Sequence, residues 1–400
     1  MDNRAKTGAF SNGSRPRQTE ARTILAQLVA FRTVSHRSNM ELIDYIYEYL
    51  SGYSLNPHLT FNRERNKANL YAVIGPEGKS GVALSGHTDV VPVDGQDWQR
   101  DPWVVSESDG RLYGRGTSDM KGFIAVALAK VPEMVARDLA RPIHLCFSYD
   151  EEIGCVGIRT LLDYLASRPD RPNACIVGEP TGMQVINGHK GKLSVRCRVR
   201  GFACHSALAP HGVNAVEYAA RLITRLAELA RRKRERGPFD HNFDVPYTTV
   251  HTGVVRGGTT VNIVPSECQF DFEFRNLPVD DPDRLLEEIK RYAHAELEPE
   301  MRAVAPQVGF EWAEHARFPG LDSAPDTAVV RLVQDLLRVT TLKKVGFGTE
   351  GGLFDQAGIP AVVCGPGSIE QAHKPDEYIE LEQLKICGEF VQRVIEDSLG

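Results

Sequence analysis

Two hydrophobic textures divide the chain. Over Ile24–Leu50 apolar positions recur at helical spacing: Leu25, Leu28, Val29 and Phe31 form one stripe, and Leu42, Ile43, Ile46 and Leu50 a second, with a break around Thr33–Asn39. Leu70–Ile74 reads as a strand stopped by Gly75-Pro76. Short unbroken apolar runs stand at Val82–Leu84, Ile143–Phe147, Ala174–Val177 and Ala361–Cys364, and helical patterns occupy Met120–Val135, Ile153–Leu165 and Thr327–Leu337. Runs of this kind suit strands buried on both faces, in a mostly parallel sheet with helices on either side. The predicted fold class is α/β.

The second texture has period two. Leu193, Val195, Cys197 and Val199 alternate with Ser194, Arg196, Arg198 and Arg200, and Cys268, Phe270, Phe272 and Phe274 alternate with Gln269, Asp271, Glu273 and Arg275. That pattern predicts a sheet with one wet face. Two amphipathic helices accompany it, one through Val216, Ala219, Ile223, Leu226 and Ala230, the other through Leu285, Leu286, Ile289, Tyr292 and Ala293. The segment reads as β-α-β-β-α-β, a small domain inserted into the larger one. The expected division is a mobile tail over 1–18, a catalytic domain over 19–187 and 315–400, and a lid or dimerisation domain over 188–314. An open strand edge on the insert is available to a second copy of the chain, which predicts a homodimer.

Composition narrows the field. With 42% apolar and 25% charged residues the chain is an ordinary globular protein, and a net charge of −6 gives no electrostatic reason to bind nucleic acid. The basic run Arg231–Arg234 reads as a solvated helix end before Gly237-Pro238. Eight cysteines are scattered without a CxxC, several inside apolar runs, which points to reduced thiols and a cytosolic protein. The first 18 residues lack the apolar core of a signal peptide, and no run reaches the roughly 20 residues of a membrane span.

The chemistry gathers behind the apolar runs. Val82–Leu84 leads to His87 in Gly86-His87-Thr88-Asp89; Ile143–Phe147 leads to Asp150-Glu151-Glu152; Ala174–Val177 leads to Glu179; Ala361–Cys364 leads, past Gly365-Pro366-Gly367, to His373. Open α/β sheets bind ligands beyond the carboxyl ends of their strands, and four such ends here deliver a histidine or carboxylate. In an extended segment His87 and Asp89 leave on the same side, and a metal-bound imidazole commonly donates its other N–H to a carboxylate. Asp119 sits among glycines in Gly114–Gly122, ahead of a helical pattern. Taken singly, each motif has an ordinary structural use: Asp119 as an N-cap, the acidic run as a helix N-terminus, Glu179 in a turn, His373 in a loop. Taken together, three carboxylates (Asp119, Glu152, Glu179), two neutral histidines, two divalent cations and one hydroxide sum to zero charge. Paired ions about 3.5–4 Å apart polarise a carbonyl and activate a water, and mixed nitrogen and oxygen ligands suit zinc better than magnesium. Glu151 remains free to act as general base.

These motifs resemble a known family. Ser85–Pro92, Gly114–Gly122, Asp150-Glu151-Glu152, Gly178-Glu179-Pro180-Thr181, His205-Ser206-Ala207, Val261–Pro265 and His373-Lys374-Pro375-Asp376 are similar to those of the di-zinc amidohydrolases and peptidases, a family that includes acetylornithine deacetylases, succinyl-diaminopimelate desuccinylases and carboxypeptidase G. Tyr149–Gly157, Cys204–Pro210 and Gly348–Phe354 are most similar to the acetylornithine deacetylase branch. The resemblance implies two Zn²⁺ per subunit, with Co²⁺ able to substitute, held by His87, Asp119, Glu152, Glu179 and His373, with Asp119 bridging. It implies Glu151 as general base and Asp89 as the aspartate behind His87. It implies that His205 reaches a partner subunit's site to steady an oxyanion.

For the substrate, an N-acyl amino acid, Arg275 is a candidate grip on the α-carboxylate and Asn262 a candidate amide donor. Glu350, in the loop Gly346–Gly352, is a candidate wall of the pocket. An exposed strand arginine, a turn asparagine and a plain loop are the other readings of these positions. The expected activity is hydrolysis of N-acetyl-L-ornithine in arginine synthesis. The alternatives are a desuccinylase, a broader N-acyl-amino-acid hydrolase or a metallo-carboxypeptidase, and a desuccinylase should carry a second anion-binding cation.

Overall fold

The computed structural model describes residues 20–400, so the tail expected over 1–18 lies outside the described residues. Helices Ala21–Ala30 and Met40–Ser51 flank the break expected at Thr33–Asn39. The four apolar runs become neighbours in one nine-stranded sheet. Across it the strands run His58–Phe61, Ala68–Ile74, Ile143–Ser148, Val82–His87, Ala174–Pro180, Ala361–Gly365, Ile186–His189 and Leu321–Asp322, with Lys343–Val345 also pairing Ile186–His189. Val82–His87 is parallel to both of its neighbours, and Ala174–Pro180 is parallel to Ala361–Gly365. The parallel centre therefore points its carboxyl ends to one edge.

Both faces are covered. Helices Gly122–Ala136, Ala328–Leu337 and Leu381–Asp397 join the first two helices over one face, and Ile158–Ala166 with Gly351–Gln356 cover the other. The central strands accommodate the helix that follows Asp119 by lacking side chains where it comes closest. A Cβ on Gly178 would lie 2.0 Å from the Phe123 ring, and one on Gly86 would lie 2.8 Å from Met120 Cε.

The insert has the order read from its alternation: Gly191–Arg200, helix Ala215–Arg236, Thr249–Gly257, Glu267–Asn276, helix Pro282–Tyr292 and Gly309–Phe318. Its four strands are antiparallel, and Thr249–Gly257 and Gly309–Phe318 form the edges. Leu193, Val195, Phe270, Phe272 and Phe274 turn inward onto the helices as a separate core. Ile186–His189 still belongs to the large sheet, so the crossings between the two bodies fall at 189–191 and 318–321.

Two helix starts differ from the periodicity. The pattern from Met120 becomes regular helix only at Gly122, after a wide turn in which Asp119 and Met120 have non-helical backbone, and Asp119 makes no N-cap hydrogen bond. The pattern from Ile153 becomes helix only at Ile158, and the acidic run before it is a loop.

Candidate metal centre

His87 closes its strand, and its ring is fixed by the backbone two residues on. Nδ1 lies 2.9 Å from the Asp89 main-chain oxygen. A carbonyl only accepts, so Nδ1 carries a proton, and Nε2 faces the site with the lone pair it can offer a cation once its own proton is displaced. The carboxylate expected to fill this role stands farther off, at 3.6 Å. The strand ends at His87, so the strict alternation that would align Asp89 with it does not continue. The Asp89 carboxylate instead organises the acidic loop: Oδ1 accepts the Glu151 N–H at 3.1 Å, and Oδ2 accepts the Glu152 N–H at 3.3 Å and the Ser35 hydroxyl at 2.7 Å.

Around that lone pair the candidate ligands converge. His87 Nε2 is 3.0 Å from Asp119 Oδ1 and 3.7 Å from Glu179 Oε1. His373 Nε2 is 3.0 Å from Glu152 Oε2 and 3.3 Å from Asp119 Oδ2. The two oxygens of Asp119 thus face two different histidines, each with a glutamate of its own. Ligand atoms of His87, Asp119 and Glu152 lie within 4.8 Å of one another, as do those of His87, Glu151 and Glu179. His373 comes from a loop, with φ of +61° and half its side chain exposed.

The electrostatics show why cations fit this cluster. Burial drives the Glu179 and Glu151 carboxyls well above their ordinary range, against the pull of His87. Burial, and then repulsion from Asp119, raise Glu152 to about 7. Burial would lower His87, yet Glu179, Asp119 and Asp89 together hold it well above its usual value. Hydrogen bonds donated to Asp119 and then to Glu152 raise His373 to about 10. Burial opposes ionisation of Asp119, but the two histidines outweigh it and hold that carboxyl down. Such a set has more negative charge than two imidazoles neutralise, and Glu152 Oε1 has no partner among the described residues. Two divalent cations would satisfy both needs.

A cavity of about 310 Å³ opens over these groups. The insert lines part of it with Arg275, one of the candidates named from the sequence, and Lys192, which the sequence pattern alone did not single out. The two are cross-strand partners. Arg275 Nε donates to Glu273 Oε1 at 2.9 Å, and Lys192 Nζ lies 3.6 Å from Glu273 Oε2. The available signal was pairing: Lys192 continues the polar series of Ser194 and Arg196 on the face that carries Arg275.

The other candidates fall elsewhere. Glu350 is buried at the start of helix Gly351–Gln356 and does not line the cavity; Phe347 and Gly348 of the same loop do. Burial raises the Glu350 carboxyl to about 7, with the nearby Ser148 and then His87 pulling it back. His205 and Asn262 are exposed on the insert and do not line this chain's cavity. His205 Nδ1 accepts the Ala207 N–H at 3.2 Å, and the Asn262 side-chain oxygen accepts the Thr260 hydroxyl at 3.1 Å. Cys155 Sγ, within 3.4 Å of Glu151 Oε1, is a contact that the sequence did not announce.

Comparison with known proteins agrees with this architecture. A family profile described as Peptidase family M20/M25/M40 matches residues 83–397. Among solved structures, a metallo-carboxypeptidase of the M20 family from Sulfolobus solfataricus superposes with a TM-score of 0.75 at 20% identity, covering 95% of this chain and 99% of that one. Aminopeptidase PepT from Bacillus cereus gives 0.71 at 19% identity, covering 97% and 100%. The YXEP protein of Bacillus subtilis, described as a dinuclear metal-binding M20 peptidase, gives 0.64 at 14% identity, covering 95% and 98%. At these identities the structural likenesses concern the fold.

Proposed function

The chain belongs to the M20/M25/M40 peptidase family and is a metal-dependent hydrolase; from that premise we propose that it cleaves the amide bond of an N-acyl amino acid, with N-acetyl-L-ornithine as substrate and L-ornithine and acetate as products. The observation that carries the reading is the division of Asp119 between two histidine–glutamate pairs, with Glu151 beside them.

In this reading His87 and Glu179 would hold one ion, Glu152 and His373 would hold the other, and Asp119 would serve both. Zinc is the ion proposed, with cobalt able to replace it. When bound, the two ions polarise the scissile carbonyl and make a water acidic enough to attack it. Glu151 takes the proton from that water and returns it to the departing amine. A carboxyl that burial raises well above its usual range is suited to holding that proton between the two transfers. Arg275 receives the α-carboxylate, and Asp89 fixes the loop that carries Glu151 and Glu152.

His205 and Asn262 enter through a second copy of the chain. A homodimer is supported by the open edge of Thr249–Gly257 and by exposed apolar side chains on the insert, among them Val255, Leu208 and Val261. A cytosolic setting is supported by eight free cysteines; among the described residues no helix is long and apolar enough to cross a membrane.

Lys192 favours one second reading, a substrate with an additional carboxylate such as an N-succinyl amino acid. Kinetics on N-acetylornithine, N-succinyl-diaminopimelate and dipeptides, with metal analysis of the same sample, separate the readings. A protein that holds two zinc ions and cleaves none of the panel overturns both. Glu151→Gln should keep both ions and lose about 10²–10⁴-fold in kcat. A variant with near-normal rate, or one that loses an ion, would remove Glu151 from the role of base.

A further inference from the structure

The loop that carries Asp119 and the loop that carries His373 are tied by one buried carboxylate, that of Glu377. Glu377 is 1% exposed and accepts four hydrogen bonds. Oε2 takes Arg115 Nη1 at 2.7 Å and the Gly116 N–H at 3.0 Å; Oε1 takes the Ser118 N–H at 2.9 Å and the Asp119 N–H at 3.0 Å. Its main-chain oxygen takes the Gly114 N–H at 2.9 Å. At the irregular turn 117–121 the N–H groups of Ser118 and Asp119 have no helical partners, so in a buried site they need an acceptor, which the Glu377 carboxylate supplies.

The tie continues to the histidine. Arg115, also 1% exposed, uses its other Nη to reach Gln96 Oε1, and Gln96 Nε2 donates to the His373 main-chain oxygen at 2.9 Å. One chain of hydrogen bonds thus runs from the backbone of Asp119 through Glu377, Arg115 and Gln96 to the backbone of His373. These two ligands need it most: Asp119 sits in irregular backbone, and His373 sits on an exposed loop with left-handed φ. His87 and Glu179, by contrast, stand within regular strands of the large sheet.

We propose that Glu377, acting with Arg115 and Gln96, is the positioning device that holds Asp119 and His373 at the separation the ion between them requires. The proposal rests on the two-ion reading of the site. Glu377 does not line the cavity. A glutamine at 377 keeps the shape but presents an NH₂ group to a ring of donors, so the clamp opens on one side. Gln96→Leu removes the link to His373, together with the acceptor that Arg115 Nη2 and Trp98 Nε1 share, and leaves the four hydrogen bonds of Glu377 in place, at a half-buried position outside the core.

The test is titration of the metal-free protein with Zn²⁺ alone, read by calorimetry, and with Co²⁺, read by the visible spectrum of the bound ion. Wild type should bind two ions; fewer than two sinks the two-ion reading itself. Gln96→Leu should keep one ion at wild-type affinity and bind the second at least about tenfold more weakly, with an altered cobalt spectrum; Glu377→Gln, which also loosens the shared Asp119, should weaken that second ion at least as much. Glu377→Asp, which keeps the charge, should recover part of the loss. If wild type binds two ions and Gln96→Leu, or a folded Glu377→Gln, binds both as tightly, the positioning role is refuted while the two-ion reading stands. Should Glu377→Gln fail to fold, Gln96→Leu decides alone.

Discussion

Replacing the two cations on the cavity wall from the insert, one at a time, reports which carboxylates the substrate carries. Arg275 commits its Nε to Glu273 and has its two Nη groups free for a ligand among the described residues. A hydrogen bond to a charged group contributes about 1.5–3 kcal/mol. Arg275→Met should therefore lower kcat/KM by roughly 10–150-fold for any N-acyl amino acid, at 1.4 kcal/mol per tenfold. Lys192 is a different case. Its ammonium stands 3.6 Å from Glu273, too far for a hydrogen bond, and its side chain is 23% exposed. Toward a substrate with a single carboxylate already held by Arg275, it acts as a screened charge contributing about 0.5–1 kcal/mol, so Lys192→Met should cost only roughly two- to fivefold. Toward a second carboxylate it becomes a direct partner, and the loss should rise to the Arg275 range. Removing Arg275 also leaves Glu273 facing the substrate, so the Arg275→Met effect should be measured again with Glu273→Gln present. The assay is initial-rate hydrolysis of N-acetylornithine and N-succinyl-diaminopimelate by each variant at fixed zinc. Arg275→Met within twofold of wild type on both substrates would refute carboxylate recognition at this wall. Equal Lys192→Met losses on both would refute the charge-counting argument.

Two further outcomes derive from the fold. Burial lowers His144 to about 4, while its Nδ1 pairs with the Tyr71 hydroxyl at 2.7 Å. The unfolded chain gains a proton on this histidine below about 6.5, whereas the folded chain does not until about 4, so its share of stability is complete above that window and is lost as pH falls through it. The shift corresponds to about 3 kcal/mol, and urea melts at pH 7 and 4.5 should show a smaller acid loss for His144→Phe; an unchanged difference would refute the assignment. Gly178→Ala should destabilise by at least about 1–3 kcal/mol, because its Cβ meets the Phe123 ring at 2.0 Å. A thermal melt within a degree of wild type would contradict the close packing of helix and strand there.

The large sheet was legible because its central strands are buried on both faces. Val82–Leu84, Ile143–Phe147, Ala174–Val177 and Ala361–Cys364 needed no alternation to be read as strands, and parallel pairing places their carboxyl ends together. The insert was legible for the opposite reason: half-burial writes period two into Leu193–Val199 and Cys268–Phe274. The convergence of His87, Asp119, Glu152, Glu179 and His373 arises from those strand ends and the loops they feed.

What escaped the sequence depends on partners distant along the chain. Periodicity extends the helix back to Met120, but Glu377 takes the N–H groups of Ser118 and Asp119, so regular helix starts only at Gly122. The acidic run looks like a helix N-terminus, but Asp89 takes the N–H groups of Glu151 and Glu152, and the helix is postponed to Ile158. In both cases a carboxylate from elsewhere overrides the local hydrogen-bonding pattern, and in both the displaced backbone carries a candidate ligand. Local propensity thus fails where the site is built, because a ligand with helical backbone would point along a helix face and not into the space between two histidines. Lys192 escaped for a related reason: alternation tells which face a side chain takes, but only the crossing at 189–191 tells that this face looks onto Glu151.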